Sequence, residues 1–210
     1  VLPIVDKSLD LHRKILDASV ELVAEQGVRG VSFREVARRA GVSHQAPYHH
    51  FGNYQGILEA IAKEGFGQLA ATMAAAAEAG PGHSMQALVA SGVAYVRFAR
   101  EHVGHFRVMF QQSLIDLQHL TPPMDEAVRT YQTLVDLVVS ARQEGYGREL
   151  DEPVMVTLCW SIVHGLATLL VEGTLPPPPW EEVTEERLVE LVLAGLGGLF
   201  VRSRRHESAR

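Results

Sequence analysis

The 210-residue chain is 47% hydrophobic and 21% charged, which is apolar material enough for the core of one domain or two small ones. Its single cysteine, Cys159, excludes an internal disulfide framework and suits a reducing cytoplasm. No uninterrupted apolar run reaches the ~18 residues that span a bilayer, and Asp6 and Asp10 interrupt any signal-like start, so a cytoplasmic protein away from membranes is expected. The net charge of −6 argues at first against nucleic acid, but its distribution argues the other way: residues 1–56 carry net +1 and residues 57–210 net −7. Residues 29–50 hold Arg29, Arg34, Arg38 and Arg39 against Glu35 alone, with three histidines besides. Basic charge is concentrated where phosphate contacts would need it.

After a lead-in over residues 1–9, a first helix is expected from about Leu11 to Gln26, with Ile15, Ala18, Leu22 and Val23 inward and Gly27 ending it. Ser32 then stands at an N-cap, and Glu35 three residues on completes an S-x-x-E capping box. Phe33, Val36, Ala37 and Ala40 follow as one apolar stripe, and Gly41 stops this second helix in the left-handed conformation. Val42 reads as a buried turn residue, and Ser43 as the N-cap of a third helix running to about Phe51. Pro47 would then lie at the fourth helical position, where it removes a hydrogen bond and crowds the carbonyl of Ser43. Two short helices around a tight turn form helix-turn-helix syntax, the second helix being free to enter a DNA major groove.

The run Gly27…Ser32-Phe33-x-x-Val36-Ala37-x-x-Ala40-Gly41-Val42-Ser43-x4-Tyr48-x-His50-Phe51 resembles the DNA-binding domain of TetR/AcrR-family transcriptional regulators, over roughly residues 10–60. Gln45 can make paired hydrogen bonds to a base edge, and His44 can reach base or phosphate. By the resemblance, Tyr48 and His50 imply phosphate contacts that fix register. Ser32 and Arg34 sit where a helix N-terminus and a positive charge grip the backbone, and Ser43 and His49 complete the expected DNA-facing set. A metal among His44, His49 and His50 is not expected, because neighbours at 49 and 50 point to different helix faces and no cysteine lies nearby. One departure stands out. Three residues beyond Phe51 the family usually carries a lysine on phosphate, and here Tyr54 could donate only one neutral hydrogen bond.

A fourth helix is expected from Tyr54 to about Glu78, and Gly80-Pro81-Gly82-His83-Ser84 breaks the chain before a fifth from Met85 to about Glu101. In the segment that follows, His102 and His105 could ligate a metal with Glu101, although satisfied or solvent-facing histidines are the commoner case. Phe98, Phe106, Met109 and Phe110 with His102 could line a ligand cavity or belong to plain core. Thr121-Pro122-Pro123 opens another helix, from Met124 to Glu144. The next, Pro153 to Glu172, is apolar nearly all round and must be buried on most sides. Prolines 176–179 make a stiff connection to a last helix, Glu185 to about Arg202, whose Ala194, Gly195, Gly197 and Gly198 admit close approach. Two such helices per chain would pack against their mates in a homodimer, as the resemblance implies, through Met155, Leu158, Ile162, Leu188, Leu191, Val192, Gly195 and Leu199. Trp160-x-x-x-His164-Gly165 is similar to the pattern of the WHG subclass of C-terminal domains, so Trp160 and His164 join the ligand set, although a satisfied core histidine is the commoner role for His164.

The expectation is an all-α protein of about nine helices. Residues 1–55 would form a three-helix DNA-binding domain and residues 56–210 a helical effector-binding and dimerisation domain. The resemblance implies a repressor that binds a pseudo-palindromic operator of double-stranded DNA as a homodimer and is released by a small, largely apolar effector. No cofactor and no catalysis are expected. The alternative is a metal-dependent sensor or enzyme built on histidines 102, 105 and 164, against which stands the lack of an H-E-x-x-H motif, a nucleophile elbow or a phosphate-binding glycine loop.

Overall fold

A computed structural model describes residues 7–79, 82–111, 125–175 and 184–200. Among them nine α-helices and one short 3-10 turn account for the regular structure, and no strand occurs. The Thr121-Pro122-Pro123 helix start, the 176–179 proline connection and the chain's first six residues lie outside the described residues. By packing, the chain divides into two compact units, one drawn from residues 1–67 and 102–125 and the other from 68–101 and 126–210. The expected boundary after residue 55 follows the motif; the division by packing returns residues 102–111 to the first unit.

In the first unit, helix α1 spans Lys7–Gln26, a 3-10 turn Val28–Gly30, α2 Phe33–Ala40 and α3 Ala46–Phe51, followed by the opening turns of α4, Tyr54–Ala79. Ile15, Leu22 and Val23 of α1 are fully buried with Val36 of α2 and Ile57, Leu58 and Ile61 of α4. Each such side chain contributes roughly 1.5–3 kcal/mol over an exposed one. Helix α6, Val103–Met109, packs on α1. It comes so close that a Cβ on Gly104 would stand 2.2 Å from the carbonyl oxygen of Val20. Arg107 anchors the contact by donating from a guanidinium nitrogen to the carbonyl of Ala24 at 2.8 Å.

One polar network links these elements. Glu64 of α4 accepts from Nε2 of buried His105 at 2.9 Å and from the Arg13 guanidinium of α1, which also binds Asp17. Burial alone would raise the Glu64 carboxyl, but the hydrogen bonds from Arg13 and His105 outweigh it and hold the group below its ordinary range. Burial pushes the His105 imidazole down, more than the Glu64 hydrogen bond lifts it.

The second unit holds the rest of α4 with α5 (Ser84–Glu101), α7 (Asp125–Gln143), α8 (Glu152–Val171) and α9 (Glu185–Leu199). Helix α5 is central, packing on both α8 and α9. Gly92 makes room for Val163 and Leu193, and Gly197 for Val89. The N-terminus of α5 is capped from a distance, since Glu144 accepts from the Ser84 backbone N–H at 3.2 Å and its hydroxyl at 2.6 Å.

Two outcomes test this packing. Gly104→Ala should lower stability by about 3 kcal/mol and the melting temperature by about 6–12 °C, read by thermal denaturation; an unchanged melt would refute the close α1–α6 contact. Because His105 is less basic in the folded protein than its ordinary 6.5, the unfolded chain takes up that proton first. Its contribution is therefore complete above about pH 6.5 and declines as pH falls through that value toward the depressed folded one. Denaturant melts from about pH 7.5 to about pH 5, a window that brackets the ordinary histidine value, should show a shallower acid loss in His105→Gln than in the wild type.

Candidate nucleic-acid interface and ligand-facing groups

The reading head is built by α2 and α3. Ser32 caps α2, its Oγ accepting the Glu35 backbone N–H at 3.3 Å. The reciprocal half of the capping box does not form, because the Glu35 carboxylate pairs with Arg38 instead, at 2.6 and 2.9 Å. Gly41 closes the helix at φ 67, ψ 35, and the Val42 N–H reaches back to the Ala37 carbonyl at 3.0 Å, which is a Schellman closure. Val42 itself is half-buried, not buried as expected of the turn.

The third helix starts later than the sequence suggests. Ser43, His44 and Gln45 form a turn, in which the Ala46 N–H donates to the Ser43 carbonyl at 3.0 Å, and Gln45 rather than Ser43 is the N-cap. Pro47 thus falls in the first helical turn, where its missing N–H would be unpaired anyway and its fixed φ fits. The anomaly at the fourth position disappears. Ala46 and Pro47 point inward, while Tyr48 and His49 are exposed and His50 half-buried.

Aromatic packing sets the outward face. Tyr48 stands edge-on to buried Phe33 at 4.7 Å, and His12 of α1 lies over Phe51 at 4.4 Å with His50 beside it at 6.0 Å. Burial lowers the His50 imidazole, with smaller contributions from His49 and His12. Ser43, Gln45, Tyr48, His49 and His50 line an open groove of about 590 Å³ together with Leu11 and Ala46. Leu11 was not among the expected groove residues, although its place on the first helix, one turn before Ile15, was the available signal.

Two expectations need correction. Tyr54 does not present its hydroxyl outward: the O–H donates to the Val28 carbonyl, and burial pushes the phenol up. Its one proton ties the turn after α1 to α4, so none remains for a phosphate. The basic run is also less free than its count implies. Arg38 is paired with Glu35, and Arg39 with Glu25 at 2.7 Å and Glu21 at 3.7 Å. Arg29 and Arg34 are exposed and make no ion pair among the described residues. Asn53, absent from the expected set, caps α4 through the Gly56 N–H at 2.9 Å.

The expected ligand set divides between the units. His102, Phe106, Met109 and Phe110 belong to the first, and Phe98, Trp160 and His164 to the second. Phe106 and Met109 are buried and Phe110 stacks edge-on to Phe66 at 5.5 Å. His102 sits at the N-cap of α6 without capping it by its side chain. In the second unit Nδ1 of His164 lies 2.9 Å from the Tyr95 hydroxyl, and Trp160 meets Tyr131 at 6.0 Å. Sequence reading missed Tyr95 and Tyr131, whose partners lie on other helices.

On α8 and α9 the apolar residues sort into two faces. Met155, expected at a dimer interface, is 0% exposed and packs with Phe200 over Gly147; it is core. Leu158 is 41% exposed and Leu191 46%, with Leu199 still more open. Ile162, Leu188 and Val192 are half-buried, and a Cβ on Gly195 would meet nothing within 4 Å. Helix α8 is also, by length and composition, apolar enough to cross a membrane, with mean hydropathy 2.0 over its best window. The absence of an uninterrupted apolar run still holds, since Thr157, Ser161 and His164 interrupt this helix.

Comparison with known proteins agrees with this geometry. Residues 15–61 match the family model described as bacterial regulatory proteins, tetR family, and residues 88–196 the tetracyclin repressor-like C-terminal domain. The HTH-type transcriptional regulator BetI of Rhizobium meliloti is 29% identical over 104 residues, 49% of this chain and 51% of that protein. The chain thus spans about half the length of that curated relative, and less of others. A protein of unknown function from Rhodococcus sp. RHA1 superposes with TM-score 0.70 at 26% identity, covering 90% of this chain and 92% of the other. PfmR of Thermus thermophilus, a TetR family transcriptional regulator, superposes with TM-score 0.69 at 21% identity over 87% and 96%.

Proposed function

The chain belongs to the TetR family of bacterial transcriptional regulators, and we propose that it is a repressor that binds a pseudo-palindromic operator as a homodimer and leaves it when a small, largely apolar effector binds the body. The observation that carries the reading is the groove at α3. There a short helix, started by a turn and backed by Phe33, keeps Gln45, Tyr48 and His49 exposed, with unpaired Arg34 nearby on α2.

In this reading Gln45 and His44, in the turn before α3, reach base edges, while Tyr48, His49 and His50 meet phosphate or sugar. Ser32 and Arg34 grip the backbone at the start of α2. Leu158, Leu191, Gly195 and Leu199, with half-buried Ile162, Leu188 and Val192, form the face that meets a second copy, and that pairing spaces two heads for half-sites roughly 34 Å apart. An apolar α8 exposed on one side is then the core helix of a dimer in the cytoplasm, where the chromosome is. Helix α4, which has residues in both units, is our candidate for carrying the effector's influence. An effector must bind the two states differently by about 10⁴-fold to move the population from 99:1 to 1:99. The metal-sensor or enzyme alternative is not favoured: His105 bonds Glu64 in one unit and His164 bonds Tyr95 in the other.

Operator selection from random DNA, followed by fluorescence anisotropy, tests the head. Wild type should enrich a palindrome and bind it with an affinity that falls as salt rises; Tyr48→Ala with His49→Ala should lose at least roughly tenfold in affinity, and Arg34→Ala should flatten the log–log salt slope by about one. No enriched palindrome would sink the reading. Analytical ultracentrifugation tests the body: Leu158→Glu with Leu191→Glu should give a monomer of unchanged helix content whose operator affinity falls by at least roughly tenfold, and a persistent dimer would remove this face from the interface.

A further inference from the structure

The interior of the second unit holds a polar stripe that packing alone does not require. Ser91 of α5 is 1% exposed, and its Oγ has no hydrogen-bond partner among the described residues. A hydroxyl buried this way gives up its hydration without return, and alanine would suit the helix better. Four residues on, and so on the same face of α5, Tyr95 is buried and its hydroxyl meets Nδ1 of His164 at 2.9 Å. The Trp160 ring stands edge-on to the same imidazole, with centroids 6.4 Å apart. A neutral phenol that donates to His164 Nδ1 leaves the imidazole proton on Nε2.

Burial pushes the Tyr95 phenol up and the His164 imidazole down, so both are neutral near pH 7. Phe98 continues the buried face, and half-exposed Tyr131 and Trp160 form an aromatic rim open to solvent. Among the described residues, three charged groups of these helices are engaged elsewhere and a fourth faces solvent. Arg100 pairs with Glu186 at 3.8 Å, Arg142 donates to the Gly147 carbonyl at 2.8 Å, Glu144 accepts from Ser84, and Arg97 is exposed.

We propose that Ser91, with the Tyr95–His164 pair and the Trp160–Tyr131 rim, is the polar end of the effector site, and that it selects an uncharged, mainly apolar molecule carrying a hydroxyl or carbonyl oxygen. The inference rests on the effector-released regulator described above. A neutral oxygen exchanges one hydrogen bond to water for one to Ser91, whereas a carboxylate or a quaternary ammonium loses its hydration and meets none of the charged groups named above.

Octanol, octanoate and octyltrimethylammonium share a chain and differ in the head, and calorimetric titration of the full-length protein separates them. Octanol should bind saturably and at least roughly tenfold tighter than either ion. Ser91→Ala should weaken octanol about fivefold while raising the melting temperature of the ligand-free protein by about 2–6 °C, since the orphaned hydroxyl is gone. Absent octanol binding, tighter binding of an ion, unchanged octanol affinity in Ser91→Ala, or a lowered melt of that variant overturns the site. Anisotropy on the selected operator, run on the same samples without probe, separates the two failures. Intact operator binding with a failed octanol result removes this site alone, and lost operator binding in the wild type removes the regulator reading and this site with it.

Discussion

The reversal at Gly41 is the constraint on which the reading head depends. Helix α2 is eight residues long, too short to persist without tertiary support, so its direction must be fixed at both ends. Ser32 supplies the start, and the left-handed glycine with the Val42-to-Ala37 hydrogen bond supplies the stop. A side chain at φ 67 would add strain at the one residue that sets where the next helix begins. From there Phe33 takes over: buried on one side and edge-on to Tyr48 on the other, it holds an exposed ring at a defined place without burying it. A six-residue α3 can therefore present a groove that its own helical propensity could not maintain.

Charge in the head is divided between structure and surface. Arg39 ties α2 to α1 through Glu25, and Arg38 is taken by Glu35, so neither contributes a bare positive charge. Exposed ion pairs of this kind add little stability, yet they cancel field. What remains is Arg29, Arg34, the N-terminus of α2 and the polar side chains of the turn. A head that relies on few full charges must take more of its affinity from fit in the groove, which is consistent with a chain of net charge −6.

Much of this was legible in the sequence because it rests on local rules. The cap at Ser32, the glycine stop and the apolar stripe of α2 each need only neighbours within four residues, and each appears where the spacing puts it. The misplaced features are those in which two local signals compete or a distant partner decides. Ser43 has the side chain of an N-cap, but Pro47 prefers the first turn, and the proline wins because its lost donor costs nothing there. Tyr54 looked like a neutral substitute for a phosphate contact, and the Val28 carbonyl that claims it lies twenty-six residues back. Met155 has the same periodicity as its exposed neighbours and is buried because Gly147 leaves a space for its sulfur. Ser91 gave no signal at all, since a small polar residue in an alanine-rich helix is unremarkable until its surroundings are known.

Helix α8 shows why composition alone misjudges burial. A helix apolar all round was expected to be enclosed, yet only a third of its most hydrophobic window is buried within the chain. Its inner face packs on α5 through Val163 and carries the one histidine, bonded to Tyr95. Its outer face bears Val154, Leu158 and Leu169, with Gly165 between them open to close approach. A helix shared between two copies of one chain needs both a specific interior contact to fix its rotation and an apolar outer surface on which its mate can lie. The same exposed residues continue onto α9 at Leu191, Gly195 and Leu199. Two helices with one apolar outer surface are what the proposed dimer would cover with a second copy, and that two-fold pairing would match a palindromic operator.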